Sequence, residues 1–213
     1  MCLKVEYMRN PWEDISLSDY ECHMSLDSIR QLQGMNEMMK EQFAAFPVKT
    51  AMVLGIAGGN GLEHIDSDKY EKIYGVDINA EYLRAVENRY QSLSGILECL
   101  HVDLTKDSES LPRAELLVAN LLIEYIGYEC FQKVIAQVAP RYVSSIIQIN
   151  TDEKQWVSES PYLHAFDRLE EIHHQMDENS LDACMNEIHY HLINRNELPL
   201  PNGKKLVQMD FQG

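Results

Sequence analysis

The chain has 213 residues, of which 45% are hydrophobic and 24% are charged, and its 18 basic and 34 acidic residues give a formal net charge of −16. These values are typical of a globular chain of about one domain and exclude a largely disordered or fibrous protein. No basic run is longer than Lys204-Lys205. Nucleic acid and anionic membranes are therefore disfavoured as partners, because binding to phosphates needs a basic surface.

The sequence contains neither an apolar segment of signal-peptide length near its start nor an apolar run that approaches the length of a membrane span. Its five cysteines are widely spread, and no two of them show the CxxC spacing of a zinc site or a redox dithiol. We therefore expect a cytoplasmic protein with reduced thiols.

The N-terminal region shows helical spacing and no strand pattern. Residues 17–24 predict a short helix that carries Tyr20 and His23, and a longer helix is predicted after a cap at Ser25 or Asp27. The apolar positions of the longer helix recur mostly every three or four residues. They are Leu26, Ile29, Leu32, Met35, Met38, Met39 and Phe43.

From residue 50 onward, short apolar runs alternate with amphipathic segments. The runs that predict strands are 51–56, 72–77, 96–103, 115–120 and 144–150. The segments that predict helices are 79–93, 128–140 and 163–176. This alternation predicts a parallel sheet covered by helices on both faces.

The C-terminal region changes to alternating apolar and polar residues, at 187–197 and 204–212, with a turn at 201–203. This pattern predicts an antiparallel hairpin at the edge of the sheet. We therefore expect an α/β fold, in which a seven-stranded, mostly parallel, doubly wound sheet has a C-terminal antiparallel hairpin and an N-terminal helical cap. The predicted division is a cap at 1–46 and an α/β domain at 47–213.

Polar residues and glycines follow the predicted strands at their carboxyl ends. The first strand runs into the glycine-rich segment VLGIAGGNGLEHI (53–65), the next two end at Asp77 and Asp103, and the fourth ends at Asn120. Glycines let a ligand approach the backbone, and a carboxylate about 20 residues downstream can accept the hydroxyls of a ribose. Each feature has a simpler alternative: a tight turn for the glycines, a helix cap for Asp77 and a turn residue for Asp103.

The glycine-rich segment does not match the fingerprint of dinucleotide-binding proteins. In the GxGxxG register, Gly55 is followed by Ala57 and Asn60, and the sequence has no GxxxxGK[ST] phosphate loop. Glu63 would also place a negative charge near a bound pyrophosphate. S-adenosylmethionine carries a positive sulfonium and no phosphate, so it suits this segment better.

These motifs resemble those of the class I S-adenosylmethionine-dependent methyltransferases over residues 50–212. Gly59 and Gly61 match the second and third glycines of the family's first motif, while Ala57 replaces the first glycine. Gly55 stands where the family commonly has an acidic residue that helps to hold the methionine ammonium. Glu63, Asp66 or an N-terminal residue are the candidates to replace that acid.

The resemblance implies a Rossmann-like methyltransferase domain at 47–213 with S-adenosylmethionine as its cofactor. Asp77 matches the acid that binds ribose, Asp103 matches the acid that contacts adenine, and Asn120 with Leu121 borders the methyl-transfer site. The cofactor-binding residues implied in this way are Gly55, Ala57, Gly59, Gly61, Asp77, Ile78, Asp103, Leu104, Asn120 and Leu121.

Glu124 and Tyr125 follow the fourth strand and are the catalytic candidates, the alternative being an exposed glutamate and a packing tyrosine. Tyr20 and His23 are the candidates for substrate binding from the cap, the alternative being a pair on the helix surface. Trp12 is a further candidate to line the pocket.

The histidines 173, 174, 189 and 191 lack a third ligand at a recognisable spacing, so no metal site is predicted.

The predicted function is methyl transfer from S-adenosylmethionine to a small-molecule acceptor by in-line displacement. Two alternatives stay open: a degenerate cofactor-binding or interaction protein, and a nucleotide-dependent oxidoreductase.

Overall fold

A computed structural model describes residues 9–150 and 157–213 of the chain. Cys2 and the first eight residues of the predicted cap lie outside the described residues. The described strands are β1 (Thr50–Leu54), β2 (Lys72–Asp77), β3 (Leu97–His101), β4 (Leu116–Asn120), β5 (Tyr142–Ile149), β6 (His191–Pro199) and β7 (Lys205–Gln212). The α-helices are α1 (Leu17–Ser25), α2 (Gln31–Ala45), α3 (Ala80–Arg89), α4 (Leu104–Asp107), α5 (Ile123–Val138) and α6 (Glu178–Glu187).

All seven strands form one sheet in the order β3-β2-β1-β4-β5-β7-β6. The first five pair in parallel, whereas β7 pairs antiparallel to both β5 and β6. The expected α/β fold, mostly parallel with a C-terminal antiparallel hairpin, is therefore confirmed.

Apolar residues cover both faces of the central strands, as expected of a parallel sheet enclosed by helices. Met52 of β1 and Leu117 of β4 contribute to the core beneath α5 and α6. Their neighbours Val53 and Val118 point to the opposite face and contribute to the core that includes residues of α2 and α3. Successive residues of a strand face opposite sides, so each short apolar run supplies both cores.

Helix α2 belongs to these cores. Met39 and Phe43 pack with β1, and Met35 and Met38 pack with Ile146 of β5. The predicted boundary at residue 46 stays a prediction, but the packing distinguishes α2 from the preceding segment, which lies beside the carboxyl ends of the strands.

Several predicted boundaries are wrong for local reasons. α2 begins at Gln31 and not after Ser25 or Asp27, because Arg30 has a left-handed φ of 54° that separates the two helices. Similarly, His189 has φ 65°, so β6 begins only at His191 and the two histidines do not alternate within one strand.

Two predicted helices also differ from the structure. The segment predicted as helix 163–176 is a 3₁₀ helix at Leu163–Glu171, and α6 follows it at Glu178–Glu187 with Asp177 as its N-cap. α5 begins at Ile123, five residues before its predicted start, with non-helical backbone at Gly127. No described helix is long and apolar enough to cross a membrane.

Candidate functional site

The carboxyl ends of four neighbouring parallel strands meet at a cavity. This cofactor-side cavity is lined by Gly55 after β1, Asp77 at the end of β2, Asp103 after β3 and Asn120 at the end of β4. Ala57, Ile78, Leu104 and Leu121 line it as well. Ligands of open α/β sheets bind at this edge, in the crevice where the strand order reverses.

The loop after β1 is anchored to β2, where the Ile56 amide donates to the Val76 carbonyl over 3.0 Å. Gly55 has φ 64°, and a Cβ atom there would lie 3.0 Å from the Leu122 side chain. Two residues further on, the Ala57 amide donates to Oδ2 of Asp77 over 2.9 Å. This bond fixes the distance between the loop and the carboxylate that faces it.

Gly59 and Gly61 do not line the cofactor-side cavity. Both have positive φ, and Cβ atoms there would meet Tyr90 and Met39, respectively. The two glycines therefore allow the loop to pack closely against α2 and Tyr90. Their role in cofactor binding stays a prediction.

The Asp77 carboxylate is oriented by backbone amides and nearly removed from solvent. Oδ1 accepts a hydrogen bond from the Asn79 amide over 2.8 Å, and the residue is 7% exposed. Burial raises the pKa of Asp77 to about 6, against the lowering effect of these amides. Asn79 caps α3 through its own side chain, so Asp77 is not the cap of that helix.

Asp103 combines a structural role with its position in the cavity wall. Its carboxylate caps α4 by accepting from the Thr105 amide, and Lys106 contacts its second oxygen over 2.6 Å. The pKa of Asp103 is lowered, because hydrogen bonds from Lys106 and Thr105 outweigh the opposing effect of burial. Both carboxylate oxygens are thus already engaged locally.

Asn120 is held by a reciprocal pair of amide hydrogen bonds with Gln42 of α2. Gln42 donates to Asn120 Oδ1 over 3.0 Å, and Asn120 donates to Gln42 Oε1 over 2.9 Å. The fully buried Gln42 also donates to Ser144 of β5. α2 therefore fixes the orientation of an amide in the cavity wall.

An aromatic cluster borders both the cofactor-side cavity and a second cavity. Trp12 lies with its ring 5.9 Å from Tyr20 and 5.0 Å from Tyr125, both in edge-to-face geometry. The segment that carries Trp12 is tied to the sheet domain, since the Asn79 side chain donates to the Trp12 carbonyl. Tyr82 likewise donates to the Ile15 carbonyl over 2.9 Å.

The second cavity, which we call the acceptor-side cavity, is lined in part by the same side chains. It shares Trp12, Tyr20, Leu121 and Tyr125 with the cofactor-side cavity. Its other polar lining residues are His23, Gln31, Glu124, Gln148, Asn150, Ser158, His173 and His174. The two cavities are therefore adjacent.

Glu124 lies in the first turn of α5 and lines the acceptor-side cavity. It is 6% exposed, so the alternative of an exposed glutamate is wrong. Within the described part of the chain, its Oε2 atom has no hydrogen-bond partner. Burial raises the pKa of Glu124 to about 7, opposed only by a hydrogen bond from its own backbone amide.

His23 and His173, which line this cavity, are uncharged at neutral pH. Burial, assisted by the charge of Lys204, lowers the pKa of His23 to about 4. Burial, assisted by His174 and Lys204, lowers the pKa of His173 to about 4. His23 Nδ1 lies 2.7 Å from Ser160 Oγ, which shows that its ring is held and is not a free helix-surface group.

Several lining residues were not found from the sequence. Asn10, Tyr82 and Ile172 line the cofactor-side cavity, and Gln31 and Gln148 line the acceptor-side cavity. They come from segments that are distant in the chain and that carry no motif. Conversely, Glu63 and Asp66, the predicted partners of a methionine ammonium, line neither cavity.

The described residues contain no group of three or more side chains that could hold a metal ion. Described cysteines 22, 99, 130 and 184 are free thiols.

No protein-family model and no curated protein matches the sequence. Solved structures are similar at the level of the fold. The N-methyltransferase NodS from Bradyrhizobium japonicum, solved with S-adenosyl-L-homocysteine, matches with a TM-score of 0.65 at 10% identity over 92% of this chain and 97% of that one. The magnesium protoporphyrin IX methyltransferase ChlM from Synechocystis, solved with bound S-adenosylmethionine, matches with a TM-score of 0.59 at 9% identity over 92% and 83%. The [4+2]-cyclase SpnF matches with a TM-score of 0.63 at 9% identity over 84% and 80%.

The chain has the class I methyltransferase fold. The predicted resemblance is thereby confirmed for the architecture. In this methyltransferase fold, the cofactor-side cavity occupies the edge of the sheet at which parallel α/β proteins bind their ligands.

Proposed function

We propose that this protein is an S-adenosylmethionine-dependent methyltransferase that acts on a small molecule. The observation that carries the proposal is the cofactor-side cavity, to which four parallel strand ends contribute Gly55, Asp77, Asp103 and Asn120. The structures of NodS and ChlM with S-adenosyl-L-homocysteine or S-adenosylmethionine bound support the choice of cofactor.

The residues of this cavity suit an adenosyl sulfonium better than a dinucleotide. The residues that line it in the described structure include two carboxylates and neither lysine nor arginine. A pyrophosphate would meet no cationic side chain there, whereas the Asp77 carboxylate can accept hydrogen bonds from ribose hydroxyls. This charge pattern disfavours the oxidoreductase alternative.

When bound, S-adenosylmethionine supplies a methyl group attached to a sulfonium. An acceptor would attack the methyl carbon in line with the carbon–sulfur bond, and sulfur would be the leaving group. The chain would contribute mainly alignment, because a nucleophile held next to the methyl carbon reacts as if at high local concentration. Trp12, Tyr20 and Tyr125 stand between the two cavities, where they would enclose the transferring group. Aromatic faces also stabilise a nearby positive charge.

The acceptor-side cavity is concave and is lined by aromatic side chains and a few polar groups, which favours a small-molecule acceptor. The net charge of −16 disfavours nucleic acid. A cytoplasmic location stays part of the proposal.

The decisive measurement is calorimetric titration of the full chain with S-adenosyl-L-homocysteine, S-adenosylmethionine and NAD. We expect micromolar binding of the first two and none of NAD. Asp77→Asn should weaken binding of the adenosyl ligands by roughly tenfold or more, because hydrogen bonds to a charged acceptor are among the stronger ones. Asp68→Asn, an exposed aspartate outside the cavity, should leave the affinity unchanged.

Unfolding curves of both variants establish that they are folded. If neither adenosyl ligand binds the folded wild-type protein, the proposal fails and a degenerate interaction protein becomes the better explanation. Unchanged affinity in Asp77→Asn would remove Asp77 from the site.

A further inference from the structure

The acceptor-side cavity has a distinctive distribution of charge. Its described lining contains one carboxylate, Glu124, and no lysine or arginine. His23 and His173 are neutral near pH 7, since burial lowers the pKa of each to about 4. The described lining therefore offers an anionic acceptor no lysine or arginine, and the carboxylate would repel it.

Glu124 is the group in this cavity that most needs a partner. It is nine-tenths buried, it lines the cavity, and its Oε2 atom accepts no hydrogen bond from the described residues. A buried carboxylate oxygen without a donor is unfavourable, and a ligand that supplies an N–H donor with a positive charge removes that penalty. Tyr20, which borders both cavities, has its pKa raised by burial and by the charges of Asp77 and Glu124, so it lies near both carboxylates.

The remaining lining completes a site for a cation with a polar or aromatic body. Trp12, Tyr20 and Tyr125 offer aromatic faces next to Glu124. Gln31, Gln148 and Asn150 offer amides that form hydrogen bonds without adding charge. Lys204 does not line the cavity, and its positive charge contributes to the lowered pKa values of His23 and His173.

We propose that the acceptor is a small primary or secondary amine whose nitrogen is held by the Glu124 carboxylate. This inference rests on the proposed function. The ammonium nitrogen gives one proton to Glu124, and its lone pair then forms a bond to the methyl carbon while the carbon–sulfur bond breaks and its electron pair stays on sulfur. The products are the methylated ammonium, the neutral thioether and a protonated Glu124, which afterwards releases its proton to water.

The test uses two sets of ligands that differ only in the polar group: benzylamine, benzyl alcohol and benzoate, and butylamine, butanol and butanoate. Each is titrated into the full chain with and without S-adenosyl-L-homocysteine. We expect an amine to bind roughly tenfold or more tightly than the alcohol and the carboxylate of the same skeleton. Binding by none of the amines at millimolar concentration, or equal binding of the alcohols or carboxylates, would overturn the inference.

Two variants isolate the carboxylate. Glu124→Gln keeps the shape and removes the charge, and it should weaken amine binding by roughly tenfold or more while the affinity for S-adenosyl-L-homocysteine stays within about twofold. Glu129→Gln makes the same chemical change at an exposed position of the same helix and should alter neither affinity. Amine binding that is equal in Glu124→Gln and wild type would contradict the assignment.

The role of Glu124 in taking up the proton is read from kinetics with any amine that is methylated. Glu124→Gln should lower kcat as well as raise KM. A raised KM with unchanged kcat would refute the proton transfer. If S-adenosyl-L-homocysteine fails to bind while amine binding still depends on Glu124, the proposed function fails and the amine site stands. If S-adenosyl-L-homocysteine binds and the protein shows no preference for amines, the amine site fails and the proposed function stands.

Discussion

Glu124 is buried, and its Oε2 atom has no hydrogen-bond partner among the described residues. A carboxyl group is rarely buried without a cationic or donor partner, because the charged form loses its hydration. The pKa of Glu124 is raised to about 7 by burial, so the folded state holds its proton more tightly than the unfolded chain. Its ionisation therefore destabilises the folded state.

This environment predicts a pH dependence of stability. The contribution of Glu124 to the free energy of unfolding should fall as pH rises from about 4.5 to about 7, because the unfolded chain loses the proton first. In Glu124→Gln that decline is absent. The stability of the variant relative to wild type should therefore increase, by on the order of 3 kcal/mol, between pH 5 and pH 8.

Urea unfolding of both proteins across this pH range measures the difference. The comparison cancels the contribution of Asp77, whose pKa is also raised by burial. The tyrosines 20, 125 and 128 near Glu124 have raised pKa values, and His173 has a lowered one, so none of these changes charge in this window. A stability difference that is constant with pH would show that Glu124 is solvated.

At the scale of the elements, the loop after β1 joins the sheet to α2. Gly61 has φ 88°, and a Cβ atom there would lie 2.7 Å from Met39 Sδ and 2.8 Å from Met39 Cβ. A side chain at this position would therefore strain the backbone and push α2 away from the loop.

We expect Gly61→Ala to lower the free energy of unfolding by about 1–3 kcal/mol, from the unfavourable φ and the close contact with Met39. Gly95→Ala is the matched control, because nothing lies within 4 Å of its Cβ position and its φ is not positive. That substitution should change stability by no more than about 0.5–1 kcal/mol.

Denaturant unfolding of the two variants decides the comparison. Equal stability would mean that the loop can move away from Met39 at little cost. Titration of folded Gly61→Ala with S-adenosyl-L-homocysteine then shows whether Gly61 serves the packing of the loop on α2 or the binding of the ligand. Affinity close to wild type would show that the glycine serves the packing of α2.

In the whole molecule, the N-terminal region consists of two parts with different roles. Residues 10–25 supply Trp12, Tyr20 and His23 to the walls of the two cavities. α2 instead buries Met35, Met38 and Phe43 against the sheet. The first part closes the cavities, and the second is part of the hydrophobic core.

Truncation should reveal this difference. A chain that begins at residue 26 should still unfold cooperatively but should bind S-adenosyl-L-homocysteine at least roughly tenfold more weakly, because it lacks the aromatic wall of the cavity. A chain that begins at residue 47 should show no cooperative transition, because several large apolar side chains of the core lose their cover. Calorimetry and thermal unfolding test both.

Full ligand affinity in the chain that begins at residue 26 would contradict the role of the aromatic cluster. Cooperative unfolding of the chain that begins at residue 47 would instead support residue 46 as a true domain boundary.

The sequence by itself determined the class of the fold and the residues at the strand ends. Alternating apolar runs, the polar residues that terminate them and the changed period after residue 187 are local signals, so the parallel strands, the C-terminal hairpin and the positions of Asp77 and Asn120 could be predicted. Local signals failed at Arg30 and His189, where residues without a glycine-like preference adopt positive φ.

Only the tertiary structure decided the burial of Glu124, the aromatic wall between the cavities and the packing of Gly61 on α2. Each depends on contacts between segments that are distant in the chain. Trp12 meets Tyr125, and Gln42 meets Asn120, only because the helices fold back over the sheet. No pattern within one segment encodes such a contact, since burial is a property of the surroundings that the whole chain creates.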